Sequence, residues 1–483
     1  MWDHQSLFRV SAQLFADGIF NLLDRNLKPE VFLLGLASAR ETDEPQAVVV
    51  EPATLRYSPT DFAGVKSLAA ALEPDGPRDV VYHLHRDDHD RYEKLRWYGL
   101  LQQATQQTLT QLCQVRAEER VSFCSLPISL YGYLVVVVLQ LSRETYEAYY
   151  TLSPLTTNNR PTSLVNATVQ EFLQDCSRAL RESDTDDDRP VLDRDYNEVL
   201  RAAGRSFMLR AAAGTHGLYD ACNGVAALRH EGDEGIGTML VARRHHPAIV
   251  PVLTLDSPIP LRDHRRVRKL LELSEDRTAL VSDATDVFGL GYLVAPDDQA
   301  YEPIFTVHFT RHYSWELTHD NQVMMKVVSN TPRLPQGRVD AANFAKAVQR
   351  VFPYLDQSTT DHLWELTQSA TTQPTGTILV ISEGAAQEAA RLTRQSFRVA
   401  PRLMTPSVLR LATNIDGAVL IEPNGTCHAI GAILDGLATA KGDSSRGSRY
   451  NSALRYVESS QYPCLVVVVS EDGLIDLLPP GVK

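Results

Sequence analysis

Residues 464–469, Cys-Leu-Val-Val-Val-Val, form an apolar run with no polar face. A strand of that composition has to be covered on both sides, which points to a sheet sandwiched between helices. The run 376–382, Gly-Thr-Ile-Leu-Val-Ile-Ser, is β-branched and apolar in the same way. Between the two runs, Thr405-Pro406 opens a helix over about 405–413, with proline suited to the first turn. Asp416-Gly417 then feeds a strand at 418–422, Pro423-Asn424-Gly425 supplies a hairpin turn, and 426–434 is the return strand. A second helix runs from Arg449 to about Glu458, with Ser448 as its cap. The expectation is an α/β unit: a mixed sheet flanked by helices.

Two parts of this unit carry chemistry. Asp416 sets a carboxylate at the mouth of a strand. Arg449 sets a planar, permanently charged fork at a helix N-terminus, where free backbone N–H groups and the positive dipole end attract phosphate. The Ser470-Glu471 pair ends the 464–469 strand. Taken singly, Asp-Gly reads as a turn, Gly-Ser-Arg as a plain helix cap and Ser-Glu as a solvated hairpin. Taken in order, they can converge on one polyphosphate site of the kind nucleotidyl transfer needs.

At these residues the stretch 374–480 resembles the diadenylate cyclase (DAC, DisA_N-like) domain. Its Asp-Gly-Ala motif is matched at Asp416, Gly417 and Ala418. Its Gly-Thr-Arg-His-Arg-Ala-Ala motif is met by Gly447, Ser448, Arg449, Tyr450, Asn451, Ser452 and Ala453, and its Ser-Glu strand end by Ser470 and Glu471. The resemblance implies condensation of two ATP into cyclic di-AMP with release of pyrophosphate. It makes Asp416 and Arg449 the catalytic residues, with Mg2+ or Mn2+ on Asp416 and Glu471. It makes Gly417, Ala418, Ile433, Leu434, Gly447, Ser448, Tyr450, Asn451 and Ser470 the substrate contacts, Ile433 and Leu434 against adenine. Because one domain holds one ATP, it also implies a homo-oligomer whose cyclase domains meet face to face. Tyr450 and Asn451 stand where the family has His and Arg, and that His helps hold the family's metal. The alternative is therefore a non-catalytic nucleotide-binding sensor or a scaffold.

The chain has 483 residues, 43% of them hydrophobic, and a net charge of −13. That length suggests about three domains, each able to bury a core. The acidic balance argues against non-specific nucleic-acid binding. Six cysteines without Cys-x-x-Cys spacing read as reduced thiols in a cytoplasm, and Met1-Trp2-Asp3-His4 shows no secretory pattern. The apolar run 131–141 is about half the length that spans a bilayer and reads as a buried strand, so no membrane association is expected.

Two α/β domains are expected ahead of the cyclase-like one at 370–483. The first, a sensor-like domain at 1–180, has a helix on Leu7, Val10, Leu14, Phe15, Ile19, Leu22 and Leu23, strands at 31–36 and 47–50, a long helix at about 87–115, and strands at 121–125 and 133–141. The acidic, proline-ended segment 182–190 is a solvated linker. The second domain, 191–357, carries an echo of the C-terminal one: Gly237-Thr238-Met239-Leu240-Val241 against Gly376-Thr377-Ile378-Leu379-Val380, and Ala279-Leu280-Val281 against Ala418-Val419-Leu420, both offset by 139 residues. It reads as a diverged cyclase-like half-copy in which Arg277-Thr278 replaces the Asp-Gly. Three further features read as ordinary structure: surface-strand histidines at His83, His85 and His89, a turn at 231–237, and a solvated basic helix face at 262–269.

Overall fold

In the computed structural model the described residues are 2–38, 48–53, 56–73, 86–153, 160–182, 192–212, 215–229, 236–274, 277–294, 303–335, 341–371, 376–436, 448–470 and 475–478, with the side chains of 86–90 excluded. The chain divides into two compact units, Met1–Pro335 and Gln336–Lys483. Both are α/β. His83, His85, the side chain of His89, nearly all of the acidic linker and most of the 231–237 turn lie outside what is described.

The first unit opens with α1 (Gln5–Leu23), β1 (Glu30–Ala37), β2 (Val48–Glu51), α2 (Val65–Ala71) and α3 (Arg86–Val115). It continues through β3 (Arg120–Cys124), β4 (Ile128–Leu130), β5 (Tyr133–Ser142), α4 (Arg143–Glu147) and α5 (Leu164–Glu182). The strands form an antiparallel sheet in the order β2-β1-β5-β3, with β4 on β5. β5 is the 131–141 run, and alternation sends its residues to two cores. Val135, Val137, Leu139 and Leu141 face α1 and α5, while Leu134, Val136 and Val138 face α2 and α3. No helix among the described residues is long and apolar enough to cross a membrane.

Of the apolar residues read on α1, Phe15 and Ile19 are buried and Leu23 packs against the core. Phe8, Ala12, Phe15, Ala16, Ile19 and Phe20 are buried, whereas Leu7, Val10, Leu14 and Leu22 are exposed. Both sets recur at helical spacing, and the larger aromatic set wins the core because it removes more apolar surface from water.

The remainder of the unit holds α6 (Tyr196–Ala211), α7 (Leu218–Ala226), β6 (Gly237–Val241), β7 (Ile249–Pro260), α8 (His264–Leu271), β8 (Ala279–Ser282) and β9 (Asp286–Leu293). A meander follows: β10 (Phe305–Arg311), β11 (Ser314–His319), β12 (Gln322–Val328) and β13 (Thr331–Arg333). The basic segment is α8. It is not wholly a solvated face: Arg268 is buried, 3.6 Å from Glu272.

The second unit contains α9 (Ala341–Val351), α10 (Gln357–Thr371), β14 (Thr377–Ser382), α11 (Ala385–Arg391), β15 (Phe397–Leu403), α12 (Pro406–Ala412), β16 (Ala418–Ile421), β17 (Thr426–Ala432), α13 (Ser448–Ser459), β18 (Cys464–Val469) and β19 (Ile475–Leu478). α9 and α10 lie ahead of the boundary at 370 read from the sequence, yet Phe344, Val348, Leu363 and Leu366 belong to this unit's core. The sheet runs β15-β17-β16-β14-β18-β19, with β14 and β16 parallel and the other neighbours antiparallel. Its central strands are buried on both faces. Leu379, Ile381, Val419, Leu465 and Val467 pack under α9, α10 and α12, while Ile378, Val380, Leu420, Val466 and Val468 pack under α11 and α13. Each such side chain contributes on the order of 1.5–3 kcal/mol through burial. The hairpin turn closes with Gly425 N–H donating to Glu422 O at 2.8 Å and Thr426 N–H donating to Asn424 Oδ1 at 2.8 Å.

The sheets of the two units share a strand order. The run β10-β6-β8-β9-β7 repeats β18-β14-β16-β17-β15, with a parallel pair at the same place and an α-helix, α8 or α12, before the second parallel strand. Register shows a slip of one residue. Ile378 faces Ala418, but Met239 faces Leu280 rather than Ala279. The segment joining β6 to β7 holds no helix, whereas α11 follows β14.

Candidate functional site

Strand polarity gathers the candidate residues at one end of the second unit's sheet. β14 and β16 begin there, with Ile378 opposite Ala418, while β17 and β18 end there, with Ala432 opposite Ala418 and Val469 opposite Thr377. Asp416-Gly417 enters this edge, Ile433-Leu434 leaves it one strand away, and Ser470 leaves it two strands away on the other side. With neighbouring strands about 4.8 Å apart, the row spans roughly 15 Å, the scale of a nucleotide.

Asp416 stands out from the edge with its side chain 91% exposed. The Arg449 guanidinium lies 3.5 Å from its Oδ1, bringing together two residues 33 positions apart in sequence. An exposed pair at that distance contributes little to stability. Ser448 lies within α13. Gly447 and Glu471 lie outside the described residues.

The backbone beneath Asp416 is tightly specified. Gly417 has φ +116°, and a Cβ placed on it would lie 2.6 Å from the carbonyl carbon of Gly431. Gly431 has φ +60°. The two glycines let the chain before β16 and the end of β17 press backbone on backbone, and this seats Asp416 beside the exit to Ile433. Ile433 is 63% exposed, as is Phe397, and Ile415 is 40% exposed, so an apolar surface flanks the carboxylate. Leu434 and Tyr450 are half-buried, and each packs against the core under α13. Asn451 and Ser470 are half-buried.

One group was not legible from the sequence. The Arg391 guanidinium donates to both oxygens of Asp435 at 2.7 Å and to Glu388 Oε2 at 2.7 Å. Its hydrogen bond holds the Asp435 carboxyl below the ordinary carboxylate range, and Asp435 in turn raises the Arg391 pKa. This clamp fixes the segment just after Ile433 and Leu434, and Ile433 N–H donates to Gln395 O at 3.0 Å. The local signal was only Glu388 and Arg391 three apart on a helix. The partner, Asp435, lies 44 residues on.

Residues 366–481 match the DAC family, described as DisA bacterial checkpoint controller nucleotide-binding. The chain carries a DAC domain at its C-terminal end. Ahead of the DAC domain, residues 1–208 match the probable sensor domain DACNG and residues 216–321 the probable sensor domain DACNH. Among solved structures, a double mutant of DacA from Staphylococcus aureus is 19% identical with a TM-score of 0.22, covering 26% of this chain and 84% of that one. No curated protein matches the chain.

Proposed function

We propose that the DAC domain is a diadenylate cyclase that condenses two ATP into cyclic di-AMP. The observation that carries this reading is the meeting of Asp416 and Arg449 at the end of the sheet where Ile433 and Ser470 also emerge. Each ATP 3′-oxygen forms a bond to the α-phosphorus of the other ATP as the bond from that phosphorus to the pyrophosphate oxygen breaks. Two such displacements close the ring and release two pyrophosphates. Asp416 accepts the hydroxyl proton and passes it to water. Arg449, with the first N–H groups of α13, binds the triphosphate and stabilises charge on the leaving group. Ser448, Asn451 and Ser470 add hydrogen bonds, and Ile433 with Leu434 supports adenine. Since one domain holds one ATP, two domains face each other in a homo-oligomer.

Asp416 also fits a divalent ion. Mg2+ is commonly held by one or two carboxylates together with substrate phosphates, and an exposed lone carboxylate beside a triphosphate site suits that mode. When bound, Mg2+ or Mn2+ supplies Lewis-acid stabilisation of charge on the phosphates. Asp416 and Glu471 would hold it.

Tyr450, half-buried against the core under α13 where the family has His, favours a second reading: a domain that binds nucleotide without turning it over. Incubation of the purified chain with ATP and Mg2+ or Mn2+, with products identified by mass, separates the two. Cyclic di-AMP supports the first reading, and ATP binding without product selects the second. We also propose that the DACNG and DACNH domains regulate the cyclase, so that deleting residues 1–335, which leaves the core of the second unit intact, changes its rate more than tenfold.

A further inference from the structure

A cavity of about 520 Å3 opens in the N-terminal domain, apart from the DAC unit. One wall is a polar stripe of α1 at every fourth residue, Arg9, Gln13, Asp17 and Asn21. It lies on a different face from the buried Phe8, Ala12 and Phe15. The other wall comes from the approach to β1 and from Arg56 and Arg120.

The lining is basic in an acidic chain. Arg9, Arg25, Lys28, Arg56 and Arg120 face two carboxylates, Asp17 and Glu30. Some of these charges are already committed. Arg56 lies 2.6 Å from Glu30 and 3.0 Å from Glu118, and Arg120 donates to the Lys28 carbonyl at 2.5 Å. Asp17 accepts from Gln13 at 3.0 Å. Two cations differ. Among the described residues, neither Arg9 nor Lys28 has a carboxylate partner, and Arg9 Nε is buried with no hydrogen-bond partner. A buried guanidinium N–H lacking an acceptor is costly to fold around, and an incoming oxyanion would supply the acceptor.

The frame around these two cations is rigid. Gln13 donates to Pro29 O at 3.0 Å and accepts from Val31 N–H at 2.7 Å, tying α1 to the start of β1. Lys28 sits at φ 46°, a left-handed conformation rarely taken by a long side chain, and Arg120 grips its carbonyl.

We propose that this cavity is the ligand site of the N-terminal domain and takes a small phosphorylated metabolite, sugar phosphate to nucleotide in size. Its phosphate sits on Arg9 and Lys28, and its hydroxyl groups reach Asn21 and the carboxylate of Asp17. The volume lies in the usual range for small-molecule sites, about 300–1,000 Å3. The two cationic side chains, Arg9 and Lys28, and the two hydroxyl partners, Asp17 and Asn21, together distinguish such a metabolite from a bare inorganic anion.

The test is isothermal titration calorimetry of the full chain at constant ionic strength with ribose 5-phosphate and, separately, inorganic phosphate. Ribose 5-phosphate is expected to bind the more tightly. Arg9→Gln and Lys28→Gln should each weaken it at least about tenfold, the scale of one charge-assisted hydrogen bond. Arg449→Ala should leave this binding unchanged, which assigns it away from the DAC site. Among the described residues neither Arg9 nor Lys28 makes an ion pair, so their variants should unfold no lower than the wild type. Hydrogen exchange at amides 9–31 should slow on ligand addition. Equal affinity in both variants, loss of binding in Arg449→Ala, or unchanged exchange at 9–31 under saturating ribose 5-phosphate would overturn the assignment.

Discussion

Replacing Gly417 with alanine tests the backbone frame of the site most sharply. The new Cβ would lie 2.6 Å from the Gly431 carbonyl carbon and 2.9 Å from its oxygen, both backbone atoms that cannot rotate away. It would also hold an L-residue at φ +116°, outside the left-handed basin such residues tolerate. A strained φ costs about 1–3 kcal/mol and local overpacking a similar amount; allowing for relaxation, the expected loss is ~3 kcal/mol. For a unit of the size of Gln336–Lys483 that corresponds to roughly 6–12 °C in the unfolding transition of that unit. Gly431→Ala is the internal control. Its φ of +60° is one that alanine can adopt at modest cost, and its nearest neighbour is the movable Cγ2 of Ile415 at 2.8 Å. Calorimetry should therefore rank Gly417→Ala well below Gly431→Ala, with both below wild type. A loss under about 1 kcal/mol at Gly417, or the reverse ranking, would refute the backbone-on-backbone argument.

Arg391→Ala should release Asp435 and leave the buried Glu388 without its partner, costing about 1–3 kcal/mol and lowering any ATP turnover, with Arg391→Lys intermediate; unchanged stability and turnover would show that the clamp is idle. Because Arg391 depresses the Asp435 pKa, this clamp's contribution is fully present above the ordinary carboxylate value of about 3.9 and is lost as pH falls through the lowered folded value. Exchange protection at 433–436 should therefore hold steady from pH 8 to about 5, and its loss by pH 6 would contradict the assignment. Tyr450→Phe should change ATP use less than about twofold, while Arg449→Ala should reduce it about a hundredfold or more, the scale of one charge-stabilising group; equal effects would place the Tyr450 hydroxyl in the site.

Much of the DAC unit was readable in its sequence because its local signals agree. The run 464–469 is a strand at Cys464–Val469, Thr405 caps α12 by accepting Val408 N–H at 3.4 Å, and the Asn-Gly turn joins β16 to β17. Burial on two faces followed directly from the absence of a polar one. β15 escaped notice because Phe397 to Leu403 is mostly exposed and carries two arginines and a proline, so its place at the sheet edge comes from pairing with β17 rather than from its own residues. The inward face of α1 was only partly legible, for a different reason. Leu7, Val10 and Leu14 repeat at helical spacing as well as Phe8, Ala12 and Phe15 do, and only tertiary packing chooses between them. At the site, the Asp416 and Arg449 pairing was legible through motif order. The Arg391 clamp was not, because an ion pair between a helix and a loop 44 residues away leaves no periodic trace.

The central claim is that Asp416 and Arg449 serve one nucleotidyl-transfer site. Its most direct test is the product formed from ATP with Mg2+ or Mn2+ by the wild-type chain and by Asp416→Asn, a change that keeps size and removes charge. The account predicts cyclic di-AMP and pyrophosphate from the wild type and none from the variant, at matched thermal unfolding. Turnover by Asp416→Asn at the wild-type rate would contradict it.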